Sequence, residues 1–169
     1  MLFYDEVIDT QGLIEKLIDY KDLKVIKVAV VAFIFKGEKL ILNRRGSGAR
    51  DDVGKLQAIG GSVNKSDETF ISALKREIAE ETGNSFVRIG DFIGAFHDRK
   101  MDNEAKEVVD WIILGYKAFL ENGKLENKEK NRCIDFEEYK LDEIKREELS
   151  TSTYEFIKEL KMMKWKKYI

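Results

Sequence analysis

Apolar positions first recur with helical spacing, where Leu13, Ile14, Leu17 and Ile18 predict a short amphipathic helix over about 10–20. The pattern then changes. Residues 24–36 (KVIKVAVVAFIFK) are rich in Val, Ile and Phe and predict a long, largely buried strand. A Lys36-Gly37-Glu38 turn and the run EKLILNRR predict that 24–44 forms a hairpin. Stretch 46–61 holds five of the chain's twelve glycines and predicts an irregular loop with one short strand near Leu56–Ile59. Residues 67–82 place Ile71, Leu74 and Ile78 on one helical face and stop at Gly83. Beyond them, 85–97 and 108–120 read as strands around a polar loop at 98–107. A charged loop at 121–131, a strand near 133–140 and a short helix at 142–149 follow. The capping-box pattern Ser152-x-x-Glu155 opens a C-terminal helix at about 152–167. Strands outnumber helices, and the helices are dispersed. An α/β fold follows, with a mixed β-sheet covered by helices on both faces.

Composition narrows the chemistry. The 169 residues suit a single domain, and no linker or repeat divides them. Thirty Lys and Arg against 32 Asp and Glu leave no global field for DNA or RNA. One cysteine, Cys133, excludes an intramolecular disulfide framework, and with one histidine, His97, it excludes a Cys/His zinc site. No apolar run is long enough to span a bilayer, and MLFYDEVIDT lacks a basic leader, so a cytoplasmic protein without membrane contact is expected. What is abundant is carboxylate. Any catalysis is expected to run on Asp and Glu holding a hard metal.

Those carboxylates concentrate on one helix. At about 100° per residue, Glu80 and Glu81 lie roughly 60° and 40° to either side of Glu77. Like charges so close repel by a few tenths of a kcal/mol per pair even when exposed. Arg76 is one turn from Glu80 and offsets part of this; a divalent cation with oxygen ligation would offset the rest. A solvated acidic face is the plainer reading of a lone Glu-Glu pair. Here, however, the helix is entered from Gly60-Gly61 and follows a segment bearing Arg44, Arg45, Arg50 and Lys55. Cations, open backbone and carboxylates together describe a site for a metal-chelated di- or triphosphate.

The stretch from Gly61 to Asn84 resembles the Nudix box: Gly, five residues, Glu, seven residues, Arg-Glu-hydrophobic-x-Glu-Glu-x-Gly-hydrophobic. Here Gly61, six residues, Glu68, seven residues and Arg76-Glu77-Ile78-Ala79-Glu80-Glu81-Thr82-Gly83-Asn84 follow in order. The departures are one extra residue before Glu68, Ile59 where Pro often precedes the glycines, and Asn84 at an apolar position. The resemblance implies an α/β/α sandwich hydrolase that splits the pyrophosphate of X-linked nucleoside diphosphates with Mg2+ or Mn2+. It implies Glu77, Glu80 and Glu81 as metal ligands, a backbone carbonyl at Gly60 or Gly61 as a further oxygen, and Gly83 as the helix stop. It also implies that Arg76 pairs with Glu68 to orient the carboxylates. A carboxylate base would come from this helix or a later loop, where Glu104, Glu126, Glu129 and Glu137 are candidates. Upstream, Asn43-Arg44-Arg45-Gly46, Arg50 and Gly54 keep the spacing of coenzyme A diphosphatases, although Asn43, Gly46, Ala58 and Ile59 depart from that pattern.

The expected partner is therefore a nucleotide-type small molecule, with a nucleoside triphosphate or nucleotide-linked diphosphate ahead of coenzyme A or an acyl derivative. A catalytically silent nucleotide-binding regulatory module is the rival, and a homodimer is compatible with the sequence. Isopentenyl-diphosphate isomerase, a relative, would need a catalytic cysteine near the first strands and several metal histidines; neither is here. Arg45 and Arg50 are candidate phosphate clamps or solvated loop charges. His97 is expected to be a structural or surface residue rather than a base or a stacking group, Cys133 a core residue, and Phe3, Tyr4, Phe35 and Trp111 core aromatics or stacking platforms. The lysines of the last helix, Lys158 to Lys167, are expected to form a solvated face.

Overall fold

The computed structural model describes residues 26–83, 86–102 and 106–166. The helix expected over about 10–20, together with Phe3, Tyr4, Asn84 and Glu104, lies outside them. Seven strands form one mixed sheet: β1 (Ile26–Lys36), β2 (Lys39–Arg45), β3 (Leu56–Gln57), β4 (Ile59–Ser62), β5 (Val87–Asp102), β6 (Glu107–Leu120) and β7 (Cys133–Lys140). The path runs β3-β2-β1-β6-β5, with β4 added to β1 and β7 to β2. Among the described strands only β1 and β6 pair in parallel. The uninterrupted apolar run of β1 follows from burial on both faces. Ala29, Val31 and Phe33 enter one core, while Val30, Ala32 and Ile34 enter the other.

Each core is closed by a helix. Helix α1 (Phe70–Thr82) lays Ala73, Leu74 and Ile78 on the second face, and α2 (Thr151–Lys166) lays Phe156, Ile157 and Leu160 on the first. The result is an α/β/α sandwich with a mixed sheet. Helix α1 has a reciprocal cap: Ser72 N–H donates to Thr69 Oγ1 (3.0 Å) and Thr69 N–H to Ser72 Oγ (2.9 Å). It ends on Gly83, whose φ of +62° is the left-handed conformation that glycine adopts most readily.

Four expectations are corrected. The polar stretch 98–107 is not a loop up to Asp102: β5 runs on to that residue, its charged side chains answered by Lys27, Asp51 and Asp110. In place of one short strand near 56–59 there are two, split at Ala58, because the chain crosses from β2 to β1 there. The helix expected over 142–149 shrinks to a 3-10 turn, Arg146–Glu148. The C-terminal helix begins at Thr151, so Ser152 already lies in its first turn and is not its cap. Ser150 precedes it, its hydroxyl donating to Thr153 Oγ1 at 2.8 Å.

Candidate active site

The site begins where β1 changes partner. Residues 34–36 pair with β2, whereas 29–32 pair with β4, and a cleft opens where the sheet parts. Gly60 lies in this seam with φ +147°, and a Cβ there would run into the backbone of Val30 and Val31. A Cβ on Gly61 would stand 2.6 Å from Glu77 Oε2. Only bare backbone lets β4 approach the helix so closely.

Helix α1 presents Glu77, Glu80 and Glu81 to this seam, and Arg76 organises them. Its Nη1 donates to Glu77 Oε1 (2.7 Å) and to Glu80 Oε2 (3.2 Å), and its Nη2 to the Ser62 carbonyl (3.0 Å). The remaining partner differs from expectation. Asp67 takes Arg76 bidentately, at 3.0 and 2.8 Å, while Glu68 stands exposed. A turn fixes the choice: Asn64 N–H donates to Asp67 Oδ2, and Asp67 N–H to the Asn64 carbonyl, which aims the Asp67 side chain inward. Arg76 and Asn64 hold the Asp67 carboxyl down at about 2.

Glu81 is the deepest of the three. Burial, with the charges of Glu129 and Glu77, pushes its carboxyl up to about 8 against a hydrogen bond from the Gly60 backbone and the charge of Arg45. Its Oε2 is buried without a hydrogen-bond partner. Burial also raises Glu77 against the pull of Arg76. Among the described residues, no three carboxylate, thiol or imidazole groups are already drawn together as a ligand set. The donor chemistry nevertheless fits a hard divalent cation, because an orphaned buried carboxylate oxygen among repelling carboxylates is stabilised by positive charge.

Of the later-loop candidates, Glu129 faces this cluster, its charge acting on Glu81, Glu77 and Cys133. Glu126 pairs with Lys128 (2.7 Å), and Glu137 is taken by Arg44 and Tyr139. The buried Cys133 thiol is pushed up to about 12 by desolvation and the nearby carboxylates, as suits a core residue.

The cleft measures about 330 Å³. Carboxylates Glu77, Glu80, Glu81 and Glu129 line it together with Arg45, Arg50, Lys100 and Arg132, and Trp111, Ile113 and Phe156 supply apolar lining. Arg45 is held by the Asp51 carbonyl (2.8 Å), Asp51 Oδ1 (2.7 Å) and Gln57 Oε1. Arg50 Nη1 lies 4.0 Å from Asp102 Oδ2. His97 is not among the lining residues; its Nε2 meets the buried Asp110 carboxylate at 2.5 Å, a structural role as expected. Sequence reasoning missed Lys100 and Asn43. Burial works against the Lys100 charge, but Asp51 (2.6 Å), Asp98 and Asp52 hold its pKa above the ordinary value. The neighbouring charge runs at 50–52 and 98–100 were the available signal. Asn43 Oδ1 is the other buried side-chain oxygen without a partner among the described residues, and an isolated Asn on a strand gives no such sign.

The NUDIX domain family model matches residues 25–160. The chain belongs to the Nudix family. It is a hydrolase of phosphoric anhydrides, the activity of that family. Solved structures resemble this Nudix chain at identities that speak to fold alone. A MutT NUDIX hydrolase from Burkholderia pseudomallei has a TM-score of 0.66 at 20% identity, covering 80% of this chain and 98% of that one. MutT protein from Methanosarcina mazei Go1 has a TM-score of 0.66 at 21%, covering 83% and 96%. The NUDIX domain of Shewanella oneidensis NrtR, complexed with ADP ribose, has a TM-score of 0.61 at 16%, covering 91% and 98%. No curated protein matches the Nudix chain. None of its described helices is long and apolar enough to cross a membrane.

Proposed function

We propose that this Nudix chain is a single-domain, magnesium- or manganese-dependent hydrolase of a nucleoside diphosphate linked to a further group. The observation that supports this best is Glu81: a buried, unpartnered carboxylate oxygen among Glu77 and Glu129, beside a cleft lined by arginines. Glu77, Glu80 and Glu81 hold the cation, with Glu129 and the Gly61 carbonyl completing the oxygen set. A divalent cation there supplies charge neutralisation for the bridging phosphates and a water of lowered pKa. Arg76 keeps Glu77 and Glu80 oriented, and Asp67 keeps Arg76 in place. Arg45 and Arg50 bind phosphate oxygens, for which the guanidinium fork is suited. Trp111, backed by the buried Ile113 and Phe156, takes the nucleoside end. The ADP ribose on the Shewanella domain supports a nucleotide-type ligand for this fold.

The test is a screen of purified protein with Mg2+ against nucleoside triphosphates, ADP-ribose, dinucleoside polyphosphates, NADH and coenzyme A. Labelled water locates the attacked phosphorus. Glu77→Gln and Glu81→Gln are each expected to lower turnover of the best substrate by about a thousandfold, with thermal melting still cooperative. Wild-type turnover in both variants rejects the assignment. Metal-independent nucleotide binding without product points instead to a silent regulatory module.

A further inference from the structure

Glu129 sits on an irregular loop, and its placement needs a physical cause. The loop is held from two sides. On one, Glu126 N–H donates to the Thr82 carbonyl and Lys128 N–H to the Glu81 carbonyl, both at 3.0 Å, so the C-terminus of α1 anchors the loop's near end. On the other, Gly46 N–H donates to the Arg132 carbonyl (2.7 Å) and Gly48 N–H to the Asn131 carbonyl (2.9 Å). Glu129 lies between these two clasps. A Cβ on either Gly46 or Gly48 would stand 2.8 Å from the Asn131 carbonyl oxygen. That neighbour is backbone and has no rotamer by which to yield. The second clasp therefore closes at this distance only because both residues lack side chains.

We infer that Gly46 and Gly48 are positioning residues that clasp the 126–132 loop and so set the Glu129 carboxylate against Glu77 and Glu81. The segment continues directly into Ala49, Arg50 and Asp51 on the cleft wall. The clasp thus ties the segment that brings Arg50 to the cleft to the loop that brings Glu129 there. This rests on the proposed place of Glu129 in the cation set, and the experiment separates the two ideas.

Mn2+ affinity of the full chain, read by electron paramagnetic resonance without substrate, is compared for wild type, Glu129→Gln, Gly46→Ala, Gly48→Ala and Gly94→Ala. Gly94 has room, its nearest non-neighbouring atom standing 3.8 Å from a Cβ. Supporting partners of metal sites change affinity by about 10–100-fold. Gly46→Ala and Gly48→Ala are expected to weaken Mn2+ binding by about tenfold, as Glu129→Gln does, while Gly94→Ala binds as wild type. Adding Gly48→Ala to Glu129→Gln should cost nothing further, because the group being positioned is already lost. If Glu129→Gln weakens binding and the glycine variants do not, or if the two losses add, the positioning role is overturned. If Glu129→Gln itself binds Mn2+ like wild type, the reading of Glu129 fails, and this inference with it. Wild type supplies a measurement independent of variant folding. Mg2+ is expected to slow amide hydrogen exchange at Gly46 and Gly48 several-fold, and unchanged rates at both overturn the inference.

Discussion

At the scale of single residues, Glu81 makes stability depend on pH. In the folded, metal-free chain it holds its proton up to about pH 8, whereas unfolded it ionises near an ordinary carboxylate value. Between those limits the folded state binds more protons, so this carboxyl's contribution to stability falls as pH rises. Glu81→Gln is therefore expected to be more stable than wild type at pH 8 without metal, by on the order of a few kcal/mol of unfolding free energy. The gap should close toward pH 5 and reverse in sign when Mg2+ is added, because only wild type gains the ligand. A melting difference that is flat in pH would contradict the burial argument. Asp67 and Glu68 offer a second contrast. Asp67→Asn removes the bidentate partner of Arg76 and is expected to lower turnover at least about tenfold, while Glu68→Gln, at an exposed position, should leave it unchanged. Adjacent carboxylates are indistinguishable by spacing alone. Which of them turns inward is decided by the Asn64–Asp67 turn, a local hydrogen-bond geometry that no periodicity reports.

The elements differ in how openly they are written. Helix α1 was legible because its apolar spacing, its carboxylate arc and its stop at Gly83 agree; only the cap, Thr69 with Ser72, moved its start to Phe70. Hairpin β1–β2 was legible for the same kind of reason. The far half of β5 was not. Its polar run reads as loop until the partners from distant segments are known, namely Lys27 for Asp102 and Asp51 for Lys100. Short strands β3 and β4 owe their existence to the parting of the sheet rather than to their own residues. The helix stop gives a direct test. Gly83→Ala places a Cβ at φ +62° and against the Lys128 side chain, and should cost about 1 kcal/mol in denaturant unfolding. The atoms met are the far end of the Lys128 side chain, which can swing aside, and the loop that carries Glu129 is anchored by backbone hydrogen bonds to Thr82 and Glu81. Mn2+ affinity should therefore change far less than stability, and a parallel loss of both would show that the Lys128 side chain helps to hold the loop.

Across the whole molecule, α2 links core and cleft. Phe156 is fully buried, its ring 5.3 Å from Phe33 and 4.6 Å edge-on from Phe96, and it packs so closely on Gly115 that a Cβ there would overlap it. It also lines the cleft beside Ser152 and Thr153. Phe156→Ala is expected to cost about 3–5 kcal/mol in urea unfolding and to raise KM more than it lowers kcat, since the wall moves and the carboxylates stay. Equal KM would detach this helix from substrate binding. At the sheet's other margin, β5 ends the strand path, and no strand pairs with its other side among the described residues. Such an edge is a template on which a second chain can add strands. The register of β5 breaks twice, between Ile89 and Phe92 and between Phe92 and Gly94, and charged residues mark both its halves, Arg88 and Asp91 before Asp98, Arg99 and Lys100. Those kinks and charges leave no long, flat, apolar ribbon for a neighbour to copy, so the strand that frames the catalytic sheet also guards it against edge-to-edge aggregation.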